Sequence, residues 1–350
     1  MSVRALSVVP GKPETAQVGD HPDPPESDGS VLVDGLLIGI CGTDVEILRE
    51  GYGWAPPGEE RLVIGHESLG RVAAAPPDSG FSPGDLVAGI VRRPDPVPCV
   101  PCSLGAWDFC RNGRYTERGI KERHGYAANQ WRIEPEFAVR LDPTLGDLGV
   151  LLEPTSVVAK AWDQAEKVAA RSPAPRHVAL VTGAGPIGLL AALLGVQRAY
   201  QVHVFDQVTT GPKPDLVADL GATYHTGDIA GIGVQPDVVI ECTGHGPLVF
   251  ALTDVVATDG VICLTGISAS KRQAAMRPDE VNKEMVLDNL ALVGSVNASR
   301  AHYEAAAAAL AAADRSWLAR LITRRVPLER FDQALERQDG DVKVVLELAH

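Results

Sequence analysis

An α/β protein of two domains is the fold class this sequence predicts, on three observations. The chain has 350 residues and 45% apolar content, ample for two packed cores. Its first part, to about residue 150, is rich in Gly and Pro and carries only short apolar runs, the texture of an irregular, β-rich domain. From Glu153 onward, buried-strand runs alternate with helical segments, the pattern of a doubly wound parallel sheet.

Taken in order, Val31-Leu32-Val33 and Leu86-Val87-Ala88 are short strands of the first part. Pro154 to Arg171 reads as a helix. The strand candidates that follow are His177 to Thr182, Gln201 to Phe205, Asp237 to Glu241, Val261 to Leu264 and Leu290 to Val293. After about residue 299 come an alanine-rich helix around Ala305 to Ala313, the segment Leu321 to Val326 and a final strand, Val342 to Leu348. These do not extend the alternation and are assigned back to the first domain. The expected division is 1–153 with 299–350, and 154–298.

Charge narrows the function classes. With 45 acidic against 32 basic residues the net charge is -13, which repels phosphate backbones and anionic bilayers, so neither nucleic acid nor membrane is an expected partner. Small neutral substrates fit better. No apolar leader stretch precedes or follows Pro10-Gly11, and no long apolar run appears, which reads as cytoplasmic. Six cysteines are too sparse for a disulfide scaffold, and three crowd into a Cys-x2-Cys-x7-Cys run, Cys99, Cys102 and Cys110, which suggests metal.

The strand His177 to Thr182 runs into Gly183-Ala184-Gly185-Pro186-Ile187-Gly188 and then into helix-forming Leu189 to Leu194. A glycine-rich G-x-G-x-x-G turn between strand and helix is the Rossmann dinucleotide fingerprint, its backbone N–H groups and helix N-terminus facing a pyrophosphate. The next strand ends at Asp206, placed to accept hydrogen bonds from ribose hydroxyls and to repel a 2′-phosphate. No arginine follows in Gln207-Val208-Thr209, which favours NAD over NADP, although Lys213 keeps NADP open. A strand-end aspartate that merely caps the next turn is the alternative. Thr243, just past the Asp237 to Glu241 strand, is a further candidate cofactor contact.

Three separated segments supply metal-ligand chemistry: Gly39-Ile40-Cys41-Gly42-Thr43-Asp44, Gly65-His66-Glu67 and Leu152-Glu153-Pro154. None is diagnostic alone, but a catalytic zinc takes about three N, S or O ligands and keeps an open position. With these segments the chain resembles the zinc-containing medium-chain alcohol dehydrogenase superfamily. It is similar in particular to the glucose 1-dehydrogenase branch, through Gly51-Tyr52-Gly53, Tyr115-Thr116-Glu117-Arg118-Gly119-Ile120, His124-Gly125-Tyr126, Asp219-Leu220-Gly221-Ala222-Thr223-Tyr224 and Gly294-Ser295-Val296-Asn297.

The resemblance implies a GroES-like catalytic domain enclosing a cleft against the Rossmann domain, and a homodimer or homotetramer. It also implies Cys41, His66 and Glu153 around a catalytic Zn2+, with Glu67 either a fourth, exchangeable ligand or a partner of that shell. Thr43 would hydrogen-bond the reacting oxygen. Where many relatives carry a histidine five positions past the cysteine ligand, this chain has Glu46, which can serve as final proton acceptor or stand as a solvated surface acid. Glu117 and Asn297 are the candidates for pairing sugar hydroxyls. Asn297 could equally contact the nicotinamide, Glu117 could be a loop salt bridge with Arg118 or Arg123, and Asn297 a turn former.

The superfamily's structural zinc lobe has four cysteines; Cys99, Cys102 and Cys110 align with the last three, and Pro96 takes the first. A closed zinc site would need Asp95, Asp108 or another oxygen as fourth ligand. The alternative is a lobe with free thiols, held by Trp107 and Phe109. The branch often has an aspartate a few residues beyond Glu153, where this chain has Thr155-Ser156-Val157-Val158. The expected activity is oxidation of the C1 hydroxyl of an aldose such as glucose to the lactone with NAD or NADP. A polyol, cyclitol or secondary-alcohol dehydrogenase, or a nicotinamide-binding sensor without chemistry, are the rivals.

Overall fold

The computed structural model describes residues 3–268 and 278–348. The chain forms two compact units, Met1–Glu153 with Asn297–His350, and Pro154–Val296.

In the first unit the ten-residue strand Val31–Ile40 is the spine. It pairs antiparallel with Glu67–Ala74 on one side, with Lys343–Glu347 on the other and with Gln130–Ile133 near its start. Its inward residues Val31, Val33, Leu37 and Ile38 are buried, and burying each such side chain contributes about 1.5–3 kcal/mol. Register does the positioning. Gly39 lies opposite Glu67 and Ile40 opposite Val344, so the ends of three strands bring Cys41, His66, Glu67 and Lys343 to one corner of the sheet.

The tail belongs to this unit. Val91 N donates to Tyr303 Oη at 3.3 Å, from the helix Arg300–Ala312, and Ile322–Pro327 runs parallel to Lys343–Glu347 at the sheet edge. Trp107 Nε1 donates to Ala298 O at 3.2 Å, and the Trp107 ring packs on Phe137 with centroids 5.4 Å apart.

The second unit is a six-stranded parallel sheet. Its spatial order is Thr223–His225, Gln201–Phe205, Val178–Thr182, Val238–Glu241, Val261–Leu264 and Ala291–Gly294. The order reverses between Val178–Thr182 and Val238–Glu241, where doubly wound sheets open their ligand crevice. The helix Pro186–Gln197 is almost wholly apolar because the sheet covers one face and Trp162 the other, with Trp162 Nε1 donating to Ala191 O at 3.0 Å. The Thr223–His225 edge strand carries Thr and His rather than an apolar run, which is why no strand is expected there from pattern. Among the described residues no helix is long and apolar enough to cross a membrane.

Candidate active site

The metal corner is built around a turn. Cys41 follows the spine strand and caps the short helix Gly42–Val45, its side chain accepting from Asp44 N while Asp44 Oδ2 accepts from Cys41 N at 2.9 Å. Cys41 Sγ lies 3.1 Å from His66 Nε2, and His66 Nδ1 lies 3.4 Å from Asp44 Oδ1. The carboxylate thus lies behind the imidazole as a charge contact, on the side where metal-binding histidines carry their outer-shell partners, while Nε2 faces the sulfur. Burial pushes the Asp44 carboxyl up, but His66 and the Cys41 amide outweigh it and hold it below the usual carboxylate range.

Cys41, Asp44 and His66 present ligand atoms within 4.8 Å of one another, a nitrogen and sulfur set that suits zinc. Glu67, expected as a ligand or partner of that shell, is buried at the first residue of its strand and forms an ion pair with Lys343 Nζ. A Cβ on Gly39 would meet Glu67 Oε2 at 2.0 Å, so glycine opposite Glu67 is what lets this carboxylate lie against the strand. Lys343 also donates to Ile40 O at 3.0 Å. Glu153 is not one of the three residues of that cluster, but His66, Glu67, Lys343 and Asp44 all act on it electrostatically; burial is the largest influence and pushes its carboxyl up to about 7.

Asp44 and Lys343 were given no role from sequence. The signals were there: a Cys-x2-Asp spacing that closes a capping box, and a lone lysine inside the apolar strand Lys343-Val344-Val345-Leu346, which burial obliges to find a partner. Thr43 and Glu46 are half-buried in the turn after Cys41, and Tyr52 N donates to Glu46 O at 3.3 Å.

Glu117 and Asn297 come together: Asn297 Nδ2 donates to Glu117 Oε1 at 3.0 Å. The ion-pair partner of Glu117 is Arg92, at 2.9 Å, in place of the Arg118 or Arg123 considered from sequence. Arg118 and Arg123 instead face Asp28 and Glu134.

The second unit holds the nucleotide loop. Gly183 adopts φ +86°, and a Cβ on Gly188 would meet Gly183 O at 1.7 Å, so both positions demand glycine. Gly185 caps the helix with open space where a Cβ would sit and no side-chain cap hydrogen bond, and Pro186 and Ile187 begin its first turn. Asp206 Oδ2 accepts from Ala184 N at 2.6 Å and from Lys213 Nζ at 3.1 Å, and Oδ1 accepts from Val208 N at 2.9 Å. Lys213 therefore offsets the negative charge expected to repel a 2′-phosphate. Thr243 N and Oγ1 both donate to Glu241, and its methyl group packs beside Gly183.

In the cysteine lobe Cys99, Cys102 and Cys110 lie within 4.8 Å of one another. Backbone amides of Arg111 and Cys102 lower the Cys99 thiol to about 7, while burial raises Cys102 to about 11. Asp95, considered as the fourth ligand, lies outside this group of three. Its oxygens accept from Val97 N at 2.8 Å, Asn112 Nδ2 at 2.8 Å and Arg114 Nε at 3.2 Å. Trp107 is buried in the lobe, whereas Phe109 is 48% exposed.

Two protein families and several known proteins match this chain. The alcohol dehydrogenase GroES-like domain family matches residues 27–143, and the glucose dehydrogenase C-terminus family matches residues 146–348. A glucose 1-dehydrogenase of Thermoproteus tenax is 39% identical, and one of Methanocella arvoryzae 37%, each over 99% of both chains. The solved glucose dehydrogenase of Haloferax mediterranei in complex with NADP, Zn and gluconolactone is 31% identical and superposes with a TM-score of 0.90 over 99% of both chains. The chain belongs to the glucose dehydrogenase branch of the zinc-containing medium-chain alcohol dehydrogenase superfamily.

Proposed function

We propose that this protein oxidises the C1 hydroxyl of an aldose such as D-glucose to the lactone, using a bound zinc ion and NAD or NADP. The observation that carries this reading is the convergence of Cys41 Sγ and His66 Nε2 at 3.1 Å in a chain similar, end to end, to a glucose dehydrogenase in complex with NADP, Zn and gluconolactone. When bound, zinc supplies Lewis acidity toward the substrate hydroxyl and the nicotinamide supplies the hydride acceptor.

The chain's own residues do the rest. Cys41, His66 and Glu153 hold the metal, Asp44 keeps His66 in the ligating orientation, and Lys343 restrains Glu67 beside them. Thr43 Oγ1 hydrogen-bonds the substrate oxygen and Glu46 takes up its proton. Glu117 accepts a hydrogen bond from a ring hydroxyl. Gly183, Gly185, Pro186, Ile187 and Gly188 bind the pyrophosphate, and Asp206 with Lys213 faces the adenosine ribose.

Six free cysteines suit a reducing, cytoplasmic setting, and a homodimer or homotetramer is the assembly this reading takes with it. The test is a screen of aldoses and polyols with NAD and with NADP. Turnover of an aldopyranose to its lactone is the expected result; turnover of polyols or secondary alcohols alone would overturn the aldose assignment.

A further inference from the structure

The first unit holds a cavity of about 570 Å3, a size typical of small-molecule sites, and none of Cys41, Asp44, His66, Glu67 or Glu153 lines it. Part of its wall is apolar. Val3, Ala5, Val63 and Ala128 form a small buried cluster there, where the strands Val3–Val8 and Leu62–Val63 pair. Three guanidiniums, those of Arg118, Arg123 and Arg132, also line the cavity.

Their charges are not matched. Arg118 and Arg123 share Asp28, at 3.7 and 3.9 Å, and both also approach Glu134, which Arg93 already engages at 2.9 Å. Three cations therefore meet two carboxylates. Arg118 is fully buried, its two carboxylates stand at 3.7 and 3.8 Å, and the Nε atoms of Arg118 and Arg123 find no acceptor. Burial, chiefly, pulls the Arg118 guanidinium down to about 10, and repulsion from Arg93 and Arg123 adds to it. Arg132 donates from Nε to Pro24 O at 3.1 Å; among the described residues it makes no ion pair and its two terminal nitrogens make no hydrogen bond. The acids elsewhere in the lining do not restore the balance. Glu59 meets His124 Nε2 at 2.8 Å, and it is exposed, as are Asp23 and Glu122, so that solvent screens all three. In a chain of net charge -13, this is a local excess of positive charge beside an apolar wall.

We propose that this cavity binds a small organic oxyanion, a carboxylate or a phosphate monoester, with its anionic head at Arg132 and Arg123 and its carbon body against Val3, Ala5, Val63 and Ala128. The free terminal nitrogens of Arg132 are a planar fork that matches two oxygens of such a head. Arg118, buried behind its carbonyl partners, contributes charge rather than a contact. The site goes beyond the aldose reading and does not depend on it.

The test is isothermal titration calorimetry of the zinc-replete, NAD(P)-saturated protein with benzoate, phenyl phosphate and inorganic phosphate at constant ionic strength. At least one of the two organic anions is expected to bind one to one, about tenfold or more tighter than inorganic phosphate because its ring is buried. Tighter benzoate assigns the site to carboxylates, and tighter phenyl phosphate to phosphate monoesters. Arg132→Gln is expected to weaken that binding about tenfold, the size of one charge-assisted hydrogen bond, and Arg132→Lys, which keeps the charge without the fork, to weaken it less. Arg123→Gln, a second and independent variant, should weaken it as Arg132→Gln does, with circular dichroism confirming that each variant is folded. No binding of either organic anion to the wild type would overturn the proposal. So would binding that Arg132→Gln and Arg123→Gln both leave unchanged, or inorganic phosphate bound as tightly as the organic anions.

Discussion

At the scale of single residues, the metal corner depends on a carboxylate that touches both of its neighbouring donors. The Asp44 carboxylate lies 3.4 Å from His66 Nδ1 and accepts from Cys41 N, so one carboxylate meets both donors. Asp44→Ala is expected to weaken zinc retention about 10–100-fold, measured by competition with a chromogenic chelator, while the fold measured by circular dichroism persists. Unchanged zinc affinity would show that His66 needs no such support. Cys41, His66, Glu67 and Glu153 could be picked out because their residue types announce metal chemistry, whereas Asp44 and Lys343 act through partners that only the three-strand register brings near. The same holds for Glu117: an acid in a loop is legible, but its choice of Arg92 over the adjacent Arg118 is set by the side to which each strand position points.

At the scale of elements, the nucleotide loop is the part most fully written in the sequence. Glycines at 183, 185 and 188 between an apolar strand and an apolar helix have few other uses, and the observed strand Val178–Thr182 and helix Pro186–Gln197 flank them as expected. The tight contact between residues 183 and 188 yields a test. Gly188→Ala places a methyl group 1.7 Å from Gly183 O, so the loop must move, and KM for the nicotinamide is expected to rise by about 10²-fold, as for other misplacements of about 1 Å. A normal KM would mean that the loop does not position the cofactor. The cysteine lobe was less legible. Spacing identified three thiols, but the bonds that tie Asp95 to Val97, Asn112 and Arg114 depend on how the lobe folds.

A cluster of arginines ties several elements of the first unit through one acid. Arg93, Arg123 and Arg118 surround Glu134. Burial pushes the Glu134 carboxyl up, but Arg93 and then Arg123 and Arg118 outweigh it and hold it low. A depressed folded-state pKa adds stability that is complete above the unfolded-state value, about 4.3, and is lost as pH falls through it toward the folded one. Melting temperatures of the wild type and Glu134→Gln should therefore differ most near neutrality and converge on acidification below about pH 4. A gap that stays constant with pH would contradict this.

At the scale of the whole molecule, fold class was readable because two textures meet in one chain: Gly and Pro with short apolar runs, then strands alternating with helices. What stayed hidden was the Thr223–His225 edge strand, whose polar composition reflects an edge position with little to bury. In the proposed function both textures serve one chemistry, the first unit supplying donors for a metal and the second a cradle for a nicotinamide. Zinc dependence is tested most directly by stripping the purified protein with a chelator, measuring NAD(P)-linked oxidation of D-glucose, and then restoring zinc. The expected result is loss of turnover on stripping, recovery with stoichiometric zinc, and no recovery in a Cys41→Ala, His66→Ala variant; undiminished glucose oxidation by the metal-free protein would contradict it.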